Sequence, residues 1–432
     1  MNVVMSARVS SLLWDMRAII PTGRYDCAMD ESVDHDDAHA HARRGPLAGI
    51  RVLELGGLGP GPFAAMVLAD LGATVLRIDR PGHPATVTGA RPERDILLRG
   101  RPSAMVDLKR AEGRELIVRL ASEADALIDP FRPGVAERLD IGPQQLLDRN
   151  PRLIYGRITG WGQDGPWASA AGHDINYVAL AGPLAAMGRA GSPPPPPLNL
   201  VGDFGGGGML LVTGILAALV ERAASGRGQI VDAAMVDGAA LLLACIVGFR
   251  QMGIWTDQRE SNLLDGGSPF YDTYETADAR YVAVGAVEPQ FYDELLRRIG
   301  LDPGAWPQNN RARWPALRAR LTEIFRSRTR DEWDAVLGGT DACYAPVLDV
   351  DEAAAHPQNR QRGVYRDVEG LLQPAPAPRF SRTQGQLDMP PSPPGHGGHA
   401  ALLDWGVPRA DLDRLEHSGT LVLPASAKTP TR

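Results

Sequence analysis

The chain has 432 residues, of which 44% are hydrophobic and 22% charged, enough for a sizeable core and two or three domains. A formal net charge of −7 argues against a nucleic-acid-binding surface and leaves room only for a local basic pocket. Three cysteines, Cys27, Cys245 and Cys343, are too few and too scattered for a disulfide framework or a zinc site, and read as reduced thiols of a cytoplasmic protein.

Residues 1–45 read as a disordered extension, because DESVDHDDAHAHARR is acidic and without periodicity. His35, His39 and His41 fit a solvated tail better than a metal site. Asp15 and Arg17 interrupt any signal-peptide core, although the Ser- and Arg-bearing start leaves a weak organellar-targeting reading. From residue 49 the texture changes. RVLEL is a strand, FAAMVLADLG a helix and VLRID a strand; SAMVDL, EGRELIVRLASEA, ALID and LIYGRITG continue the alternation. That alternation predicts a parallel α/β sheet. The prolines 193–197 mark an exposed connection. LNLVGDFGGGG then leads into the apolar helix MLLVTGILAALVERA, the strand QIVDAAM and a further apolar helix. A second domain begins near Tyr271, and LLDWGVPRADLDRLEHSG reads as a closing pair of helical turns. The longest apolar runs, 209–220 and 239–249, fall short of the roughly 18 residues of a membrane span, so none is expected.

Gly59-Pro60-Gly61-Pro62-Phe63-Ala64 formally fits a dinucleotide fingerprint, with Asp79 at the end of the next strand. Pro60 and Pro62 have no N–H to give a pyrophosphate, so a nicotinamide cofactor is not expected. The richer stretch is Gly172-His173-Asp174-Ile175-Asn176-Tyr177, with Asp203 thirty residues beyond His173 and followed by glycines. A His and an Asp can move a proton on and off carbon if they stand on opposite sides of it. Asp203 is expected near a helix N-terminus, where free N–H groups meet developing negative charge and glycines admit a substrate to the backbone. On the residues alone, a structural histidine and a capping aspartate remain open alternatives. Cations recur at the strand ends: Arg77 and Arg80, Lys109 and Arg110, Arg132 and Arg138. They suit a phosphorylated ligand or, equally, a solvated rim.

Taken together these segments are familiar. PLAGIRVLELGGLGPGPFAAMVLADLGATVLRIDRPG strongly resembles the opening of the family III CoA-transferases and their racemase branch. DLKRAEG, ALIDPFRPGVAERLDIG, PRLIYGRITGWGQDGP, AGHDINY, LNLVGDFGGGG, GQIVDAAMVDG, DACYAPVLDVDEAAAHPQNRQRG and PAPRFSRT follow in the family's order, so the resemblance covers about residues 46–422. Transferases carry Gly-Tyr-Asp or Gly-Phe-Asp where this chain has Gly172-His173-Asp174, and that Asp is their nucleophile; the histidine resembles the racemases. The resemblance implies an interlocked homodimer with a Rossmann-like large domain and a smaller α+β domain. The large domain would take residues 46–235 and 351–432, with linker helices and the small domain in 236–350. It implies interconversion of (2R)- and (2S)-2-methylacyl-CoA thioesters through an enolate, without a cofactor or metal, CoA being part of the substrate. His173 and Asp203 would be the two acid/bases, and Glu288 would orient the histidine across the dimer interface. CoA contacts would come from Arg80, Val106, Asp107, Leu108, Lys109, Pro130, Phe131, Arg132 and Arg138, and from Gly172, Asp174, Ile175, Asn176 and Tyr177. Gly100, where the family has Asn, and Pro130 depart from the family pattern. The competing readings are a transferase that uses Asp174 as nucleophile and a non-catalytic acyl-CoA-binding protein.

Overall fold

The computed structural model describes residues 44–83, 86 and 91–424. The extension, with His35, His39, His41 and Cys27, lies outside the described residues. Six strands come first: β1 (Arg51–Leu55), β2 (Thr74–Asp79), β3 (Ser103–Val106), β4 (Ala126–Asp129), β5 (Ile154–Thr159) and β6 (Ile230–Ala234). β7 (Tyr271–Glu275), β8 (Tyr281–Gly285) and β9 (Tyr344–Pro346) follow, then β10 (Tyr365–Val368), β11 (Leu371–Pro374) and β12 (Leu421–Val422). β1 to β6 are parallel in the order β3-β2-β1-β4-β5-β6, and β12 adds antiparallel to the β3 edge.

The central strands are apolar throughout because helices cover both faces of the sheet. Alternate residues serve the two sides. Leu53, Leu55, Leu76, Ile78 and Leu127 meet Leu116, Ile117 and Leu120 of helix Ala111–Ser122, together with Leu402, Trp405, Leu412 and Leu415 of the closing helices. Val52, Val75, Ile128, Ile154 and Ile158 meet Ala64, Ala65 and Leu68 of helix Pro60–Asp70, and Leu211 and Ile215 of helix Met209–Ser225. Chain beyond residue 390 thus completes a sheet begun at residue 51. Between them, β7, β8 and β9 form an antiparallel sheet under helices Pro289–Arg298, Trp314–Phe325 and Arg330–Leu337, with its own core of Phe270, Tyr274, Val282, Tyr292, Leu321, Phe325 and Trp333.

Three arginines expected or free to face solvent are core residues. Arg77 pairs with Asp79 at 2.8 Å and donates to the Ser392 carbonyl at 2.6 Å. Arg99 forks onto Asp70, and Arg101 forks onto Glu54. Gly100 between them has φ +79°, a left-handed conformation that glycine and asparagine both favour, which accounts for the departure from the family residue there.

The glycine-rich segment is the main departure from expectation. Leu200–Gly208 is itself helical, in the wide π form, and runs unbroken into Met209–Ser225. The stretch Leu200–Ser225 is therefore 26 residues, long and apolar enough to cross a membrane by length and composition, contrary to the reading of separate short runs. Here Leu211, Val212, Ile215 and Ala218 are buried against the sheet. The glycines serve helix packing rather than substrate approach. A Cβ on Gly206 would meet Gly238 of helix Met235–Leu242, one on Gly207 would meet Met235 and Pro60, and one on Gly208 would meet Phe63 at 2.6 Å.

Candidate active site

A cavity of about 450 Å³ opens at the carboxyl ends of β1 to β4, where an open α/β sheet binds ligands. Its floor is apolar, with Leu58, Ile78, Val106, Leu108, Phe131, Val135 and Leu139. Asp79, Arg80, His83, Asp107 and Lys109 bring its charged and titratable groups, and Arg80 and Lys109 are exposed. Of the expected contacts, Arg80, Val106, Asp107, Leu108, Lys109 and Phe131 line this cavity. Pro130 packs over Gly57, where a Cβ would stand 2.7 Å from its ring. Exposed Arg132 lies toward Tyr177, whose hydroxyl it influences, and Arg138 folds back toward Gly134. The sequence reading missed Leu58, His83, Val135 and Leu139, although the strand-end rule that picked out Arg80 and Lys109 covers the same loops.

The loop 56–59 after β1 joins the cavity to the acid–base group. Gly57 lines the cavity, and a Cβ on Gly59 would lie 3.4 Å from Asp203 Oδ2. Asp203 sits inside the π-helical segment, which Phe204 pins to helix Pro60–Asp70 by stacking on Phe63 at 4.6 Å. Burial, then the neighbouring Asp174 charge, push the Asp203 carboxyl up to about 6; a hydrogen bond from Asn199 and the nearby His173 oppose them. His173 is the exposed N-cap of helix Asp174–Ala181, with its backbone N–H donated to Asn176 Oδ1 at 3.0 Å. His173 lies near enough for its charge to act on the Asp203 carboxyl.

Other candidate groups are engaged within the chain. Arg77 is not a ligand-binding cation, because it is spent on Asp79 and Ser392 inside the sheet. Asp79 in turn accepts from Ser103 as well as Arg77, both at Oδ2, so that oxygen is held at the sheet edge. The Asp203 N–H does not await an enolate oxygen; it is donated to Asp174 Oδ1 at 2.7 Å. Asp174 is only 7% exposed, so it is a buried partner of that amide rather than a presented nucleophile. Tyr177 is turned inward as well. It donates to the Gly172 carbonyl and packs edge-on against Trp161 at 4.7 Å, bracing the turn that carries His173. Ile175 and Asn176 are exposed beside it. Glu288 stands at the N-cap position of helix Pro289–Arg298 in the smaller sheet unit, without a side-chain capping bond, and after burial its charge raises the Cys343 thiol. Within one chain no ion pair joins Glu288 to His173 among the described residues.

Fold and site together define an α/β protein with a strand-end cavity edged by Arg80 and Lys109, beside a carboxyl–imidazole pair. CoA-transferase family III matches the chain over residues 47–400. Alpha-methylacyl-CoA racemase of Mus musculus is 46% identical over 380 residues, 87% of this chain and 97% of that protein. The Homo sapiens protein of the same name is 45% identical, over 85% of this chain and 96% of that one. Among solved structures, a CAIB/BAIF family protein from Brucella suis matches with a TM-score of 0.73 and 28% identity, over 84% of this chain and 100% of that one. The chain belongs to CoA-transferase family III.

Proposed function

We propose that this chain is an α-methylacyl-CoA racemase, which interconverts (2R)- and (2S)-2-methylacyl-CoA by removing the α-proton on one face and returning a proton on the other. The observation that carries this reading is Asp203, a half-buried carboxyl held up to about 6 beside His173 and one loop away from the strand-end cavity. A carboxyl in that range is present in both protonation states near neutrality, as an acid/base that must work in both directions requires. The thioester carbonyl acidifies the α-C–H bond. His173 removes the proton of one epimer, the electron pair moves into the thioester as an enolate, and the protonated Asp203 delivers a proton to the opposite face. For the other epimer the roles reverse. The N-terminal amides of helix Asp174–Ala181, directly after its N-cap His173, supply the donors for the enolate oxygen. The cavity takes the CoA portion, with Arg80 and Lys109 toward its phosphates and no cofactor in the chemistry.

The working unit is a homodimer. In one chain Leu241, Leu242, Val247, Met252 and Ile254 expose a long apolar face on and just beyond helices Met235–Leu242 and Ala244–Gln251. A second copy covers it and brings its own Glu288 to His173. The deciding experiment is proton NMR of (2R)- and (2S)-2-methylacyl-CoA in deuterated water. Racemase action washes deuterium into C2 with inversion. Binding without exchange would make the chain an acyl-CoA-binding protein, and a hydroxylamine-trappable acyl group on Asp174 would make it a transferase.

A further inference from the structure

Asp174 takes no part in that proton transfer, yet the chain goes to some length to bury it. Oδ1 accepts the Asp203 N–H at 2.7 Å, whereas Oδ2 has no hydrogen-bond partner among the described residues. A buried carboxylate with an unpaired oxygen costs stability. The close approach also constrains the neighbour: a Cβ on Gly202 would stand 2.5 Å from Oδ1, so only glycine lets this backbone close on the carboxylate. Such an arrangement persists where the position it fixes is needed.

The groups facing the Asp203 carboxyl are few. His173 and Asp174 come from the start of helix Asp174–Ala181, Asn199 from the segment before the π-helical turn, and Tyr177 from one turn further along the same helix. The loop after β1 offers only Gly59, which is uncharged. Asn199 and His173 draw the carboxyl toward ionisation, and of the charged neighbours Asp174 alone opposes them. We infer that Asp174 is a positioning residue for Asp203, fixing its turn through the backbone amide and setting a second negative charge beside its carboxyl. The aspartate that acts as nucleophile in the family's transferases is here turned inward to hold and tune a base. The inference rests on the racemase reading of Asp203.

The test isolates Asp203 as sole base. In His173→Ala, deuterium wash-in to C2 of 2-methylacyl-CoA rises with pH as Asp203 ionises. Adding Asp174→Asn keeps an oxygen for the Asp203 N–H but removes the charge, so the wash-in midpoint moves to lower pH, toward the ordinary carboxylate range. Asp174→Ala removes the acceptor too, and the plateau rate falls at least about tenfold while affinity for CoA changes less than about twofold. A midpoint unmoved by Asp174→Asn overturns the inference. Absence of wash-in from His173→Ala itself overturns the racemase reading instead. If the Asp174 variants do not fold, the unaltered protein still decides. Its Asp203 amide, held by a charged acceptor, should resonate downfield and exchange slowly with solvent; an ordinary, fast-exchanging amide overturns the inference.

Discussion

The Tyr155 hydroxyl donates to Asp129 Oδ2 at 3.0 Å inside the sheet, while Asp129 Oδ1 accepts the Phe131 N–H at 2.9 Å. One buried carboxyl therefore sets the turn by which residues 130–132 leave β4 for the cavity. Burial pushes that carboxyl up to about 6, against the Phe131 and Tyr155 hydrogen bonds and the Arg157 charge. The folded state thus favours protonated Asp129. Its contribution to stability is full below the unfolded value near 3.8 and is lost as pH rises through about 6. The loss is on the order of 3 kcal/mol. Asp129→Asn keeps an acceptor for Phe131 and cannot ionise, so urea denaturation should show it gaining on the unaltered chain by about 1.4 kcal/mol between pH 5 and pH 8. A stability difference independent of pH would mean that ionised Asp129 is held without cost.

Gly202 makes a second prediction. The Cβ of Gly202→Ala would lie 2.5 Å from Asp174 Oδ1 and must push the carboxylate off the Asp203 amide. The strand-end cavity contains neither residue. Turnover should fall by about ten- to a hundredfold with KM for the acyl-CoA nearly unchanged, because an acid/base shifted by about an ångström loses its alignment. Steady-state rates on either epimer check this, and a rise in KM with intact kcat would contradict it.

The parallel sheet was legible because its strands are short apolar runs set between helical patterns, and each strand's loop carries the ligand-facing residues. What escaped the sequence were cases where tertiary contact overrides local preference. Four successive glycines cost a helix about 1 kcal/mol each, so Gly205 to Gly208 read as a loop. They are helical because Gly238, Pro60 and Phe63 pack where side chains would stand. Arg77 read as a rim cation from its place near a strand end. Its neighbour Asp79 lies two residues on, and therefore on the same face, a period-two signal that the two charges meet each other. Nothing local marks Asp174 as buried, since its partner is an amide 29 positions away in the Asp203 turn.

Glu288 can be assigned to a subunit by mixing. If it serves the histidine of a second copy, a heterodimer of His173→Ala and Glu288→Ala chains contains one intact site, with His173 and Glu288 from different chains. Random re-association of two inactive homodimers should then restore about a quarter of the full activity, half of the dimers being mixed and half of their sites intact. If Glu288 serves its own chain, every site in the mixture lacks one group and the mixture stays as inactive as its parents. Racemisation measured before and after co-refolding separates the two cases.

The two-base assignment has the sharpest consequence. His173 and Asp203 on opposite faces of the α-carbon give each epimer its own base. Asp203→Asn keeps the shape and removes one base, so net racemisation stops while His173 still exchanges the α-proton of its epimer with retention. His173→Ala should exchange the other epimer instead. Its pH dependence should follow Asp203, with a midpoint at or somewhat above 6, because the nearby histidine that favours ionisation has been removed. The remaining rates will be low, since each residue also helps to shape the enolate site and losses at such sites do not add. The epimer preferred by each variant is the informative quantity. Equal preference for the same epimer by both variants would leave only one base in the site, and the one-face mechanism would stand in place of the two-face one.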